Sequence, residues 1–204
     1  MIESITLAAG VTAMYNARTV DETDQRDIAA ARTGDEGAFA RLVRRHQAAV
    51  AGLLWRFTRE PAQLEDLVQE VFVDAYFGLD GYRGAAPLEH WLSRIATRVG
   101  YRFWKKRSRR PAAGPLEHLD PAAPPGDVDP AAAGTLVHAL LARLPPPERL
   151  VLVLMYFDNC SVQEIAGRMG WNRAMVKMRA YRARRRLKAM AVQERLLEKL
   201  GWTS

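Results

Sequence analysis

The side chains in this sequence whose type and spacing could do chemistry are basic, and they stand in two blocks. From Arg98 to Arg110 there are seven Lys or Arg residues and no acid. From Arg168 to Lys188 there are nine, again with no acid. These two stretches, 34 residues of 204, hold 16 of the chain's 30 positive charges and account for its net charge of +7. Guanidinium and ammonium groups at helical spacing neutralise successive phosphates, and Arg and Lys in the major groove read guanine edges. Aromatic residues lie between the charges in both blocks, which favours a nucleic-acid partner. Acids collect elsewhere: Met1 to Gly37 carries seven against three bases, and Pro111 to Pro130 carries four and no Lys or Arg. Two basic blocks divided by an acidic spacer suggest two contacts with a polyanion. Either block alone could equally be a solvated helix face.

The remaining reactive residues do not assemble into a catalytic set. His46, His90, His118 and His138 have no metal-ligand spacing, and neither a glycine-rich phosphate loop nor a Gly-x-Ser-x-Gly elbow occurs. Glu65, Asp66 and Glu70 form an acidic cluster with no nucleophile or oxyanion donor beside it. The expectation is a protein that is not an enzyme and holds no metal and no cofactor. Cys160 is the single cysteine, which excludes an internal disulfide and any multi-cysteine metal centre. It precedes a helix start and reads as a buried thiol, with a redox switch as the alternative. No apolar run approaches the ~18–20 residues needed to cross a bilayer. Ile2, Ile5, Leu7 and Val11 follow no basic leader. A cytoplasmic protein without membrane insertion is expected.

The elements that must carry the basic blocks are helices. Hydrophobic residues make up 49% and charged residues 26%, enough of the former to build a core. Pro111–Pro130 contains six prolines and two glycines and reads as a semi-extended linker. It divides a block at 26–110 from one at 131–195, with 1–25 an N-terminal extension. In the first block Phe39, Leu42, Val43, His46, Val50, Leu53, Leu54 and Phe57 recur at three- and four-residue spacing, a helix stripe ended by Glu60-Pro61. A second helix carries Leu64, Leu67, Val68, Val71, Phe72, Ala75 and Leu79 and stops at Asp80-Gly81. A third starts near Pro87 with Leu88, Trp91, Leu92, Ile95, Val99 and Phe103 inward. No stretch alternates with period two, so the fold class is all-α: two small helical domains joined by a Pro-rich linker.

In the second block Leu136, Leu140, Leu141 and Leu144 make a short helix that Pro145-Pro146-Pro147 ends, followed by an apolar helix over Glu148–Phe157. Ser161-Val162-Gln163-Glu164 has the spacing of a capping box, with Ile165, Ala166 and Met169 inward. Gly170 ends that helix, Trp171-Asn172 turn the chain, and a basic helix runs from about Arg173 to Met190. A capped helix, a glycine turn and a basic second helix is the helix-turn-helix pattern. Lys177, Arg179, Arg182, Arg184, Arg185 and Arg186 give the second helix its charge, while Val176, Ala180 and Leu187 are left to pack.

These motifs resemble a family. LPPPERLVLVLMYFDNCSVQEIAGRMGWNRAMVKMRAYRARRRL is similar to the promoter-binding fourth domain of bacterial RNA polymerase sigma factors. DLVQEVFVDAY at Asp66–Tyr76, YRGAAPLEHWLSRIA at Tyr82–Ala96 and the basic end at Lys105–Arg110 resemble their second domain. Two domains with only a short linker between them match the extracytoplasmic-function (ECF) group of the sigma-70 family. The resemblance implies binding to core RNA polymerase, through the clamp helices of its β′ subunit and its β flap, delivery to promoter DNA and melting of the −10 region. It places Asp66, Gln69 and Glu70, which share one helix face, on the polymerase. It places Tyr82, Arg83, Trp91, Arg94, Arg98, Arg102, Lys105 and Lys106 at the −10 strand, and Arg173, Lys177, Met178, Arg179, Tyr181 and Arg182 at the −35 element. Trp91 also belongs to an apolar stripe with Leu88 and Ile95, which makes core packing its plainer role. Arg98 stands where the group often has asparagine. The family also admits an anti-sigma partner. A stand-alone helix-turn-helix regulator, with 26–110 as an effector domain, is the other reading.

Overall fold

The computed structural model describes residues 21–109 and 130–193, which form eight α-helices and one 3-10 turn with no strand among them. The chain divides into two compact units between Trp104 and Lys105. The Pro-rich linker lies outside the described residues, except for Pro130, which opens a helix.

The first unit contains α1 (Glu22–Arg32), α2 (Glu36–Leu54), α3 (Pro61–Gly78), the 3-10 turn Leu79–Gly81 and α4 (Leu88–Ser108), whose last four residues run past the division. The α1 helix was not expected, and its start falls inside the segment read as an extension. It begins because Asp21 caps it, Oδ1 accepting from the Thr23 amide at 2.8 Å. Asp35 caps α2 in the same way, through the Ala38 amide at 3.1 Å. At α3 Pro61 occupies the first turn, where its missing N–H costs nothing. Ile28, Leu42, Val50, Leu54, Leu67, Val71, Leu92, Ile95 and Val99 are buried and form the core.

Two expected details differ. The α2 helix ends at Leu54 rather than running to Phe57, yet Phe57 is buried beyond its end. There it packs on Trp104, with ring centroids 4.4 Å apart, and its carbonyl accepts the Trp104 indole N–H at 2.8 Å. Trp104 is therefore the buried aromatic at the end of α4, and Phe103, expected inward, is half-buried. Gly100 is what admits Phe57: a Cβ there would stand 2.4 Å from the ring.

The second unit contains α5 (Pro130–Ala142), α6 (Pro146–Tyr156), α7 (Val162–Met169) and α8 (Arg173–Gln193). Its core is Leu141, Leu144, the run Leu150–Leu154, Ile165, Ala166, Val176, Ala180 and Ala183. Ala183 joins α8's packing stripe, whereas Leu187 is half-buried. Cys160 is buried, in agreement with the plainer of its two readings.

Candidate nucleic-acid interface

The turn between α7 and α8 is built by local hydrogen bonds. Ser161 Oγ accepts from the Glu164 amide at 3.2 Å, and Glu164 Oε2 accepts from the Ser161 amide at 2.7 Å, so the expected capping box is complete. Gly170 ends α7 with φ +66, the left-handed conformation that glycine adopts without steric cost. Asn172 Oδ1 accepts the Met175 amide at 2.7 Å and starts α8.

Val176, Ala180 and Ala183 face inward on α8, which turns the opposite side to solvent. Arg173, Lys177, Met178, Tyr181 and Arg182 are all exposed. Met178 is 50% and Tyr181 58% exposed, values unusual for large apolar side chains with only solvent to face. Arg179 is placed differently from its expected neighbours. It is half-buried, its guanidinium carbon 3.7 Å from the centre of the Trp171 ring. Its Nη1 is buried with no hydrogen-bond partner among the described residues. Arg186 likewise points back, with Nε 3.4 Å from the buried carboxylate of Glu148 on α6. Arg184 and Arg185 are exposed.

The basic row of α4 is solvent-facing: Arg94, Arg98, Arg102, Lys105 and Lys106 are exposed and half-buried Tyr101 lies among them. The loop before this helix contains the other candidates. Arg83 is exposed. Tyr82 is buried, its hydroxyl donating to the Ala86 carbonyl at 2.5 Å and its ring 5.4 Å from that of half-buried Trp91. Burial, the largest influence, pushes the Tyr82 phenol above its usual pKa. In this arrangement Tyr82 shapes the loop, and Trp91 both packs and keeps part of its ring accessible.

Asp66, Gln69 and Glu70 are exposed together on α3, as their spacing predicts. Glu70 is not free of other duties. Arg102 Nη2 donates to Glu70 Oε1 and to Asp74 Oδ2, both at 2.8 Å, so one expected DNA contact and one expected polymerase contact are paired with each other. Beside Gln69 a groove of about 980 Å³ runs between α2 and α3, lined by Phe39, Val43, Leu64, Val68 and Phe72 among others. Phe77, at its end, is 81% exposed.

An ionic cluster built on two buried aspartates escaped the sequence reading. Arg45 donates to Asp24 and Asp27, Arg41 to Asp27, and His46 Nε2 lies 2.9 Å from Asp24. The hydrogen bond from Arg41, ahead of that from Arg45, holds the Asp27 carboxyl below its ordinary pKa. The cluster ties α1 to α2. Periodicity could not reveal it, because a charged residue on a helix reads as solvent-facing until its partner is known. Among the described residues no group of His, Cys, Asp and Glu could hold a metal ion, and no helix is long and apolar enough to cross a membrane.

A capped helix-turn-helix with an exposed basic second helix, on a chain whose other unit presents its own basic helix, defines a two-domain DNA-binding protein. Comparison with known proteins sharpens that class. Residues 135–187 match the model of sigma-70 region 4 and residues 42–110 that of sigma-70 region 2. The chain is 30% identical over 175 residues to the RNA polymerase sigma-H factor of Pseudomonas aeruginosa, covering 80% of this chain and 91% of that one. It is 29% identical over 174 residues to the ECF RNA polymerase sigma-E factor of Escherichia coli, covering 79% and 91%. A solved structure of CnrH in complex with the cytosolic domain of CnrY matches with TM-score 0.55 and 28% identity, over 84% of this chain and 99% of that one. The sigma factor RpoE of Bartonella quintana, solved with the anti-sigma factor NepR, shares the fold at TM-score 0.51 and 22% identity, over 74% and 94%. The chain belongs to the sigma-70 family of RNA polymerase sigma factors, in its extracytoplasmic-function group. Its function is promoter-specific initiation of transcription.

Proposed function

We propose that the second unit reads the −35 element with α8 while the first unit docks on core polymerase and engages the −10 strand. The observation that carries this reading is the exposed row Lys177, Met178, Tyr181 and Arg182 on the second helix of a fully capped helix-turn-helix. A row of donors and apolar tips on one helix face suits the major groove, where donor pattern and thymine methyls distinguish the bases. Arg94, Arg98 and Lys105 suit the phosphates of a melted strand, and the exposed part of Trp91 offers a stacking surface. Asp66 is in no ion pair among the described residues, and with exposed Gln69 and the neighbouring apolar groove it makes a surface suited to the β′ clamp helices. On this reading the second unit also meets the β flap. An anti-sigma protein is a further partner on this reading, in line with RpoE of Bartonella quintana, solved with the anti-sigma factor NepR, and CnrH, solved with the cytosolic domain of CnrY. A chain with these partners works in the cytoplasm.

The test is reconstitution with core polymerase. Asp66→Ala combined with Gln69→Ala should weaken core binding about tenfold or more, while far-ultraviolet circular dichroism stays unchanged. Undiminished affinity in the double mutant would remove α3 from the docking surface.

A further inference from the structure

We propose that Arg32, at the end of α1, is a positioning residue for the Tyr82–Pro87 loop and so for −10 discrimination. This rests on the reading of that loop as the −10 contact. Arg32 lies outside the segment matched to sigma-70 region 2, which begins at residue 42. Its guanidinium reaches across 47 to 50 residues of sequence to two backbone carbonyls. Nε and Nη2 donate to the Leu79 carbonyl at 3.3 and 2.8 Å, and Nη2 also donates to the Tyr82 carbonyl. Leu79 opens the 3-10 turn that leads into the loop, and its carbonyl also accepts the Tyr82 amide at 3.1 Å.

The Leu79 carbonyl keeps a second lone pair beyond its bond to the Tyr82 amide, the Tyr82 carbonyl lies just past the end of the turn, and a planar fork of five donors is the side chain best suited to reach both. The donor stands on a fixed base. Asp24 and Asp27 of α1 are buried and held by Arg41, Arg45 and His46 of α2. One helical face of α1 thus lies along the loop. Gln25, seven residues before Arg32, comes within 3.6 Å of where a Cβ would stand on Gly84. Gly84 has φ +68, so the loop crosses at a conformation that a side chain would strain. The Tyr82 hydroxyl closes the loop's other side on Ala86. Between these supports Arg83 and Ala85 stay exposed. The loop tip is therefore held open and oriented before any strand arrives, and such preorganisation favours binding by reducing the ordering cost at the moment of contact. Loss of the Arg32 fork should loosen the tip without touching any surface that meets polymerase.

The probe is a promoter library with a randomised −10 segment, transcribed by holoenzyme made with wild type, Arg32→Met or Arg32→Lys. Methionine keeps the unbranched stem and removes all donors; lysine keeps the charge and three donors on one nitrogen but loses the planar fork. Expected for Arg32→Met is a roughly tenfold loss of discrimination between selected and random −10 segments, with core affinity within twofold of wild type. Arg32→Lys should recover part of the discrimination. Undiminished discrimination in Arg32→Met, or a loss matched by an equal loss of core affinity, overturns the proposal. If Arg32→Met melts before the assay temperature, Arg32→Lys decides alone: full wild-type discrimination overturns the proposal and an intermediate value supports it. Wild-type holoenzyme that selects no −10 sequence at all would instead refute the reading of the loop itself.

Discussion

Arg179 separates what position in a motif implies from what the side chain does. Its place on the second helix makes it a candidate reader of bases, but its guanidinium lies 3.7 Å over the Trp171 ring. A cation over an indole in a partly desolvated site contributes about 0.5–2 kcal/mol. Removing it in Arg179→Ala should therefore destabilise the second unit by roughly 1 kcal/mol, or about 4–8 °C in Tm for a domain of this size. Trp171→Ala should do the same, and the two effects should not add, because each removes the same contact. On DNA, Arg179→Ala should weaken cognate and scrambled −35 duplexes alike, by a few-fold at most. The slope of affinity against salt should stay unchanged, since no phosphate contact is lost. Arg182→Ala, on the exposed face, should instead cost about 1–3 kcal/mol of discrimination and spare Tm. Fluorescence anisotropy across a salt series, beside thermal melts of the same variants, reads all of this. If Arg179→Ala erases −35 discrimination while Tm and non-cognate affinity hold, the stack on Trp171 is incidental and Arg179 reads bases.

Three further outcomes follow from the first unit. Gly100→Ala would set a Cβ 2.4 Å from the Phe57 ring, which Trp104 backs, so overpacking should cost at least about 1–3 kcal/mol in thermal or urea melts. Gly52→Ala in α2, which meets nothing within 4 Å, should raise stability by about 0.5–1 kcal/mol in the same assay. For Asp27 the lowered pKa sets the sign: its ion pairs stabilise the fold fully above the unfolded value of 3.8 and are lost as pH falls through the lower folded value. Denaturation midpoints should drop below about pH 4 in wild type, and Asp27→Asn should be less stable at neutral pH with a flatter acid limb.

Much of the fold was legible because helices announce their buried faces by period and their ends by chemistry. The capping box at Ser161 and Glu164, the stop at Gly170 and the breaks at Pro61 and Pro146 are local devices that need no tertiary knowledge. The α1 helix escaped because two of its four buried residues are Asp24 and Asp27, whose burial depends on arginines in the next helix. Trp104 escaped for the same kind of reason: its neighbours Lys105, Lys106 and Arg107 read as a charged end, and its partner Phe57 lies 47 residues away. At the candidate sites, exposure of Asp66, Gln69, Lys177, Met178, Tyr181 and Arg182 followed from helix geometry. The partners of Tyr82, Arg102 and Arg179 did not, since sequence position records which face a residue takes but not what it meets there.

If Glu70 meets polymerase and Arg102 meets DNA, as proposed, the two carboxylates that share Arg102 make those faces thermodynamically conjugate. On the proposed reading, polymerase groups that claim Glu70 leave Arg102 held by Asp74 alone, and a strand phosphate that claims Arg102 leaves Glu70 free for the polymerase. Linkage then requires each ligand to raise the affinity of the other by the same factor. Exposed pairs of this kind contribute about 0.2–1 kcal/mol each, so the factor is a few-fold and fades as salt shortens the screening length. Before polymerase arrives, the nucleic-acid face carries one cation fewer than its sequence suggests. On that reading the surface charges alone supply a modest cooperativity, with no moving part.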